Sequence, residues 1–441
     1  MGLGYVGLAT AVCFARRGFV VEGIEVNKEK ISSMENGSAP FEEKGVASML
    51  RASLKSRRLR LSSDYEAVSR TEVTFITVGT PSGPDGAIDL KYVESAARSV
   101  ASKLRDKDSY HVVVVKSTVI PGTTEREIIP ILEAESGKKE GDGFGVAVNP
   151  EFLREGSAVK DTLKPEALVL GVKDSRASKK LLDIYKKFYR KMPETILTTP
   201  STAEVVKYSI NISRAVQVSL VYSLADICGL VPGGEFGEVA RGLAIIARMD
   251  RRYLGPGLGY GGSCLPKDTR ALAALADSLS TPSALFRAAL AVNDVQPREA
   301  LALAKGALGK LEGRQTAVLG LAFKAGTDDV RESAALRLVN LLIAEGAKVR
   351  AYDPVATENA RRLLGDGVAF ASSMAECIRG AECCFIATEW NEFRALTPAM
   401  IKKLMGGEAT LVDCKRLLDP SRFEGKGVRY LRVGTAPARP Q

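Results

Sequence analysis

Met1-Gly2-Leu3-Gly4-Tyr5-Val6-Gly7 opens the chain, an apolar stretch suited to a helix follows, and a β-rich run over 20–26 carries Glu25 near its end. Glycines spaced G-x-G-x-x-G at the start of a helix, with an acid closing the next strand, form the fingerprint of a dinucleotide-binding turn. Such glycines let the backbone approach a pyrophosphate at a helix N-terminus, and the acid can hold the ribose hydroxyls. The spacing alone is a weak signal, and a purely structural glycine turn is its alternative. Gly2, Gly4, Tyr5, Val6, Gly7 and Glu25 are therefore candidate cofactor contacts. A carboxylate at Glu25 would repel a 2′-phosphate, which selects NAD over NADP. Lys30 is a further candidate on the phosphate or adenosine side, against the plainer reading of an exposed helix lysine.

The fingerprint normally follows a strand, yet only Met1 precedes Gly2. Losing a buried middle strand would leave neighbouring backbone groups unpaired. A start upstream of Met1 is the expectation.

Outward from this turn, short apolar runs at 20–26, 73–78, 111–116, 145–148, 167–172 and 195–199 alternate with helical segments. The pattern predicts a doubly wound, mainly parallel sheet. From 201 to 300 the periodicity is helical, beginning with a Ser201/Glu204 capping-box candidate. Alternation returns at 316–323, 348–352, 383–388 and 410–412, with a helix over 334–345. The fold class is thus α/β, with two Rossmann-like doubly wound domains joined by a central helical domain. The expected boundaries are 1–200, 201–300 and 301–441, with a break marked by Gly306, Gly309 and Gly313. The proline-containing end, 435–441, reads as loose.

At 441 residues, 45% hydrophobic and 26% charged, the chain is long enough for two or three cores. No apolar run reaches the roughly 18 to 20 residues of a membrane helix, so no membrane partner is expected. The net charge of +10 is dispersed rather than blocked into a tail, which suits small polyanions better than nucleic acid. Seven cysteines without C-x-x-C spacing indicate neither a disulfide framework nor a metal site and point to the reducing cytoplasm. The single histidine, His111, heads a run of four valines and reads as structural.

The richest stretch is Gly255-Pro256-Gly257-Leu258-Gly259-Tyr260-Gly261-Gly262-Ser263-Cys264-Leu265-Pro266-Lys267-Asp268. Pro266 suits the first turn of a helix, which would leave Cys264 at its positive end beside Lys267 and Asp268. The positive helix end and the Lys267 charge favour a thiolate nucleophile. A small buried cysteine is the ordinary alternative, but the glycines before it argue for close ligand approach. Further along the chain, Lys207 and Asn211 are one helical turn apart, suited to bracket a developing oxyanion.

Five motifs then occur in order: the glycine turn; Lys116-Ser117-Thr118-Val119 with Pro121-Gly122-Thr123-Thr124; Asn149-Pro150-Glu151-Phe152-Leu153-Arg154-Glu155-Gly156; the Cys264 stretch; and Phe323-Lys324 with Asp328-Asp329-Val330-Arg331-Glu332-Ser333. Together they resemble the UDP-glucose/GDP-mannose 6-dehydrogenase family, over nearly the whole chain as far as Asp413-Cys414-Lys415-Arg416.

The resemblance implies a four-electron, NAD-dependent oxidation of the C6 alcohol of a nucleotide sugar to a carboxylate. The reaction would pass through a thiohemiacetal and a thioester on Cys264, with UDP-glucose as the first substrate and GDP-mannose or UDP-N-acetylmannosamine as alternatives. It also implies roles for single residues. Glu151 is the acid/base of thioester hydrolysis, and Glu155 lies near cofactor and sugar. Phe152, Leu153 and Arg154 share their substrate segment. Asp268 activates water, and Lys267 is a charge partner for cofactor or thiolate; Thr118 and Ser117, at the end of one strand, would meet the nicotinamide side or an ordered water, and Thr80 ends the strand before it. Lys207 and Asn211 match the family's oxyanion pair. Gly257, Tyr260 and Gly261 belong to the substrate loop, Phe323 and Lys324 meet the base and sugar, and Arg331 meets a cofactor phosphate.

Two positions depart from the family. Lys415 stands where an arginine is usual, with Arg416 as a substitute. Arg248 aligns with an arginine that reaches a neighbouring subunit's substrate, but lies in Ile245-Ile246-Ala247-Arg248-Met249-Asp250 rather than Asp-x-Arg-Ile-Gly. A homodimer formed through the central helices, with Ala215, Val218 and Leu224 at helical spacing, is expected. The rival from another class is a catalytically inactive protein that binds NAD and a sugar nucleotide.

Overall fold

The computed structural model describes residues 1–83 and 86–435, so all of the 435–441 tail except Thr435 lies outside them. By its contacts the chain divides into two units, Met1–Ile210 and Asn211–Gln441.

In the first unit, β1 (Val21–Ile24) pairs in parallel with β2 (Leu59–Ser62). A five-stranded sheet follows in chain order: β3 (Val73–Ile76), β4 (His111–Val115), β5 (Phe144–Val148), β6 (Ala167–Val172) and β7 (Glu194–Thr198). It is parallel except between β5 and β6. The first residues stretch between β1 and β3: Gly2 N donates to Ile24 O at 2.8 Å, and the Met1 amine to Phe75 O at 2.8 Å. Thr77 N returns a bond to Met1 O at 2.9 Å. Three residues thus stand where the sheet has room for a central strand.

Strand β4 shows why the sheet is covered on both faces. Val112 and Val114 pack with Leu8, Val12 and Phe14, on the same face as the opening helix Tyr5–Arg16. Val113 and Val115 pack with Val93, Ala97 and Val100 of the helix Lys91–Leu104. A strand buried on both sides has no polar alternation, hence the unbroken valines. His111 at its head is fully buried, with Nε2 2.9 Å from the Thr74 hydroxyl and Nδ1 3.0 Å from Thr71 O. Burial, then the Lys107 charge, pushes its pKa down to about 3, so the ring is neutral and part of the scaffold.

The 31-residue helix Pro200–Leu230 does not form the expected capping box. It begins at Pro200, which puts Glu204 in the second turn, out of reach of the cap. Buried Glu204 instead spans the loop after β4, accepting from Gly122 N at 2.5 Å, Thr124 N at 3.0 Å and the Thr124 hydroxyl at 2.6 Å. Its carboxylate therefore anchors the loop that carries Thr118. The small residues expected to pair with a second copy are also placed differently. Ala215 and Val218 are buried in a core with Phe236, Leu254 and Tyr260, and Leu224 packs against that core. The exposed apolar side chains of this helix are Val205, Leu220, Ile227 and Leu230.

In the second unit, β8 (Gln315–Leu319), β9 (Lys348–Tyr352), β10 (Ala369–Phe370), β11 (Cys383–Ile386), β12 (Thr410–Asp413) and β13 (Arg429–Arg432) form one parallel sheet. The spatial order β10-β9-β8-β11-β12-β13 is the 3-2-1-4-5-6 of a doubly wound nucleotide-binding fold. β10 and β13 escape the sequence pattern because one has two residues and the other begins and ends with arginine. The run expected over 316–323 stops at Leu319. Gly320 turns at φ +96°, and a Cβ there would lie 2.4 Å from Thr388. Helix Ala284–Leu308 continues through residue 300 and past Gly306, so chain regularity does not break at 300/301.

Replacing Glu204 by alanine strands three donors at once. The expected loss is roughly 2–4 kcal/mol of stability, read as a lower urea midpoint for unfolding, with a smaller loss for Glu204→Gln. An unchanged midpoint in Glu204→Ala would show that the loop does not depend on this carboxylate.

Candidate active site

The three fingerprint glycines do different work. A Cβ on Gly7 would lie 1.9 Å from Gly2 O, and one on Gly2, at φ +84°, would lie 2.9 Å from Val78. Both are required by the chain's own packing. A Cβ on Gly4 would meet nothing within 4 Å, and Gly4 caps helix Tyr5–Arg16 without any side-chain hydrogen bond. The middle glycine therefore leaves the positive helix end open, as a pyrophosphate requires. Glu25 is buried at this turn, accepting from Leu3 N at 2.9 Å and Asn27 N at 3.1 Å. Each oxygen keeps a lone pair for a ribose hydroxyl.

These residues fit a bound NAD. Val6 is half-buried in the first helical turn, and the Tyr5 hydroxyl accepts from Gly156 N at 2.8 Å, which ties the turn to the Glu155 segment. Lys30 is exposed, on a helix capped by Asn27. Thr80 is buried beyond β3, and Thr118 is half-buried beyond β4.

Beyond β5, Glu151 and Lys207 form a buried ion pair. Lys207 Nζ donates to Glu151 Oε1 at 2.8 Å and to Glu151 O at 2.7 Å, and lies 5.6 Å from the Phe152 ring centre. Leu153 N donates to Glu151 Oε2 at 2.6 Å. Burial, the largest influence, opposes the Glu151 charge. The Lys207 charge and hydrogen bond, the Leu153 N–H and the more distant Lys116 charge outweigh it and hold this carboxyl below the usual range. An ionised Glu151 is equipped to accept a proton. Leu153 and Glu155 are half-buried, and the Arg154 guanidinium is paired with Asp161 at 2.7 Å, which fastens the segment to the next helix.

Sequence reasoning assigned no role to Lys116 or Asn149, although both stand in the quoted motifs. Lys116 Nζ donates to Asn149 Oδ1 at 2.9 Å, and the Tyr185 hydroxyl donates to the same oxygen at 2.5 Å. A lysine closing a run of buried valines was the available signal.

In the second unit Cys264 is the exposed one of seven cysteines and occupies the N-cap of helix Leu265–Ser278, with Pro266 in the first turn. Its Sγ is 3.5 Å from the Ser263 hydroxyl. Burial pushes Cys13, Cys377 and Cys383 up to about 12, and Cys384 and Cys414 are raised well above the ordinary value for the same reason. One turn into that helix, buried Asp268 accepts from Lys267 Nζ at 2.6 Å and from Asn211 Nδ2 at 2.6 Å. Three of the expected groups, Lys267, Asp268 and Asn211, thus form one network.

The glycines before Cys264 serve the chain's own packing more than expected. A Cβ on Gly261 would lie 2.3 Å from Glu332 O, and one on Gly262 2.8 Å from the Phe323 ring. Asn293 grips the loop from helix Ala284–Leu308, accepting from Tyr260 N at 2.7 Å and donating to Tyr260 O at 3.0 Å. The Tyr260 side chain is turned into the helical core, with its hydroxyl 3.4 Å from Ala289 O, so only its backbone faces the loop.

At the point where strand order reverses, between β8 and β11, the segment after β8 carries Phe323 and Lys324, whose Nζ is 5.5 Å from the Phe323 ring centre. Arg331 is exposed and doubly bonded to Asp329 at 2.6–2.9 Å, so its charge is already partnered within its own loop. Lys415 Nζ lies 3.2 Å from Glu389, and 3.5 Å from where a Cβ on Gly257 would stand. Arg416 does not substitute for it. It bonds Thr435 at 2.9 Å and Glu235, which also holds Arg432 at 3.0 Å. Arg248 is exposed at φ +54°, and its side chain makes no hydrogen bond or ion pair among the described residues.

An α/β chain with an open dinucleotide turn and an exposed cysteine at a helix start is suited to chemistry on a nucleotide-bound substrate. The sequence patterns of the UDP-glucose/GDP-mannose dehydrogenase family match its NAD binding domain at residues 1–189, its central domain at 201–295 and its UDP binding domain at 317–420. The chain is 42% identical to the UDP-glucose 6-dehydrogenase AglM of Haloferax volcanii, over 90% of this chain and 92% of that one. It is 38% identical to a UDP-glucose 6-dehydrogenase of Rhizobium meliloti, over 98% of each. The solved UDP-glucose dehydrogenase of Pyrobaculum islandicum superposes with a TM-score of 0.89 at 39% identity, covering 99% of this chain and 96% of that one. The chain belongs to the UDP-glucose/GDP-mannose dehydrogenase family and is an NAD-dependent oxidoreductase.

Gly7→Ala places a methyl group against Gly2 O and is expected to abolish NADH binding, measured by fluorescence titration; retention of wild-type affinity would refute the packing argument. Brief treatment of the native chain with iodoacetamide should label Cys264 first in a peptide map, ahead of half-buried Cys228, with the five buried thiols reacting only after denaturation.

Proposed function

We propose that the chain oxidises UDP-glucose at C6 to UDP-glucuronate, with Cys264 as nucleophile. The observation that carries this reading is the one exposed thiol, at the positive end of helix Leu265–Ser278, four residues before a buried Asp268 held by Lys267 and Asn211. Nucleotide-binding features precede it at Gly4 and Glu25 and follow it at Phe323 and Lys324.

NAD supplies the hydride acceptor, two molecules per sugar. In the first oxidation the C6 hydroxyl loses a proton and a hydride, leaving an aldehyde. The Cys264 thiolate adds to that carbonyl, forming a C–S bond and an alkoxide. Lys207 and Asn211, one turn apart on helix Pro200–Leu230, are the donors that stabilise this oxygen. Collapse of the alkoxide with loss of a second hydride forms the thioester. Water then adds, giving up a proton to Glu151, the C–S bond breaks and the carboxylate leaves. Asp268 holds Lys267 and Asn211 in place and orients water, while Thr118 fixes a water near the reacting carbon. Glu155, Phe152, Leu153 and Arg154 form the sugar-side segment.

We further read the chain as three parts, 1–200, 201–300 and 301–441, acting in reducing cytoplasm, which suits its seven cysteines. No helix among the described residues is long and apolar enough to cross a membrane. A homodimer would cover the exposed Leu220, Ile227 and Leu230, together with Ile245 and Ile246.

The test is stoichiometry. About two NADH per UDP-glucose, with none from GDP-mannose or UDP-N-acetylmannosamine, is expected from this mechanism. Cys264→Ala should lose the activity by at least about a thousandfold while still binding NADH. NADH formation at the wild-type rate in Cys264→Ala, or none from the folded wild type, would overturn the proposal.

A further inference from the structure

The loop carrying Glu151 is held by a second lysine, the half-buried Lys116. Strands β4 and β5 pair with Val115 opposite Val148, and Asn149 N donates to Val115 O at 2.9 Å, which sets Lys116 and Asn149 side by side. Lys116 Nζ bonds Asn149 Oδ1 at 2.9 Å and Asn149 O at 3.3 Å. Tyr185 donates to the same Oδ1, while Asn149 Nδ2 donates to Val169 O at 2.9 Å. The amide is thus engaged at both ends, its oxygen fixed between two donors. No carboxylate pairs directly with Lys116 among the described residues, because its hydrogen bonds all end on neutral oxygens.

The charges that act on Lys116 are Glu151, which favours its protonation, and Lys207, which opposes it. Glu151 in turn has Lys207 as its direct partner and Lys116 as its second positive neighbour. If Lys207 were its sole support, turning Lys207 toward a substrate oxyanion would leave a buried carboxylate alone, at a cost met by picking up a proton. A base so protonated could not accept one from water.

We propose that Lys116 is a positioning residue, the standing countercharge of Glu151, which frees Lys207 to leave that carboxylate for the reacting oxygen while Glu151 stays ionised. This rests on the reading of Glu151 as base and Lys207 as oxyanion donor. The groups facing Lys116 are Asn149 and Glu151 beyond β5, the Val169 carbonyl of β6, Tyr185 on helix Ser175–Phe188 and Lys207 on helix Pro200–Leu230. Burial pushes the Tyr185 phenol well up, so it remains a neutral donor. Burial first, and Lys207 last, bring Lys116 down to about 8. Lys116 is therefore charged at neutral pH and loses its charge as the pH rises through that value.

The experiment compares kcat against pH for the wild type, Lys116→Met and Lys116→Arg, with NAD and UDP-glucose. In Lys116→Met the acid limb, set by Glu151, should move up by about one pH unit. Lys116→Arg should keep the wild-type acid limb. KM for the sugar nucleotide should stay within about twofold. An unmoved acid limb in Lys116→Met overturns the proposal whatever the fall in kcat, since a merely structural lysine would lower the rate evenly.

Should Lys116→Met fail to fold, the Lys116 Nζ of wild-type protein can be titrated by nitrogen-15 NMR. A midpoint near 8 that falls further in Glu151→Gln supports the coupling; an ordinary lysine midpoint in both overturns it. Wild-type kcat in Glu151→Gln would instead refute the role of Glu151 as base, and the NMR titration would still decide whether the two charges are coupled.

Discussion

Parallel pairing is the constraint on which the rest of this protein depends. Parallel strands cannot be joined by tight turns, so each needs a crossover, and the crossovers bring successive strands back pointing the same way. Their carboxyl ends then gather along one edge of each sheet. In the first unit that edge presents Thr80 after β3, Lys116 and Thr118 after β4, and Asn149 to Glu155 after β5. In the second it presents Phe323 and Lys324 after β8, Glu389 after β11 and Lys415 after β12. Residues up to 75 positions apart in the first unit and 92 in the second are gathered within their own unit for this reason.

Buried carboxylates in both units are held by more than one partner. Glu151 has Lys207 and the Leu153 N–H, Asp268 has Lys267 and Asn211, and Glu25 has two backbone N–H groups. A carboxylate out of water is stable only when its lone pairs are engaged, and in a catalyst those same donors decide whether it stays a base. Each network also couples a chemical group to the element behind it. The Tyr5 bond to Gly156 ties the cofactor turn to the segment beyond Glu151, and Glu204 anchors the loop of Thr118.

Glycine has two separate meanings in this chain. At Gly2, Gly7, Gly261 and Gly262 a Cβ would strike the protein itself, so these glycines permit the fold. At Gly4 nothing stands in the way, and the space lies at an open helix end where a phosphate can bind. Sequence spacing alone does not separate the two uses, because it records where glycine occurs and not what faces it.

From the sequence alone came the features that depend on neighbours along the chain. These are the glycine turn closed by Glu25, the valine-rich strands, the helix start that exposes Cys264, and the i,i+4 spacing of Lys207 and Asn211. Periodicity and backbone preference are local, and so are legible. Only the tertiary structure decided the pairings between distant segments: Lys116 with Asn149 and Tyr185, Glu204 with the Thr124 loop, Arg416 with Glu235 rather than beside Lys415, and Tyr260 turned into the core. Those outcomes turn on which way a long side chain points once strands have been laid side by side, and the chain's order carries no record of that direction.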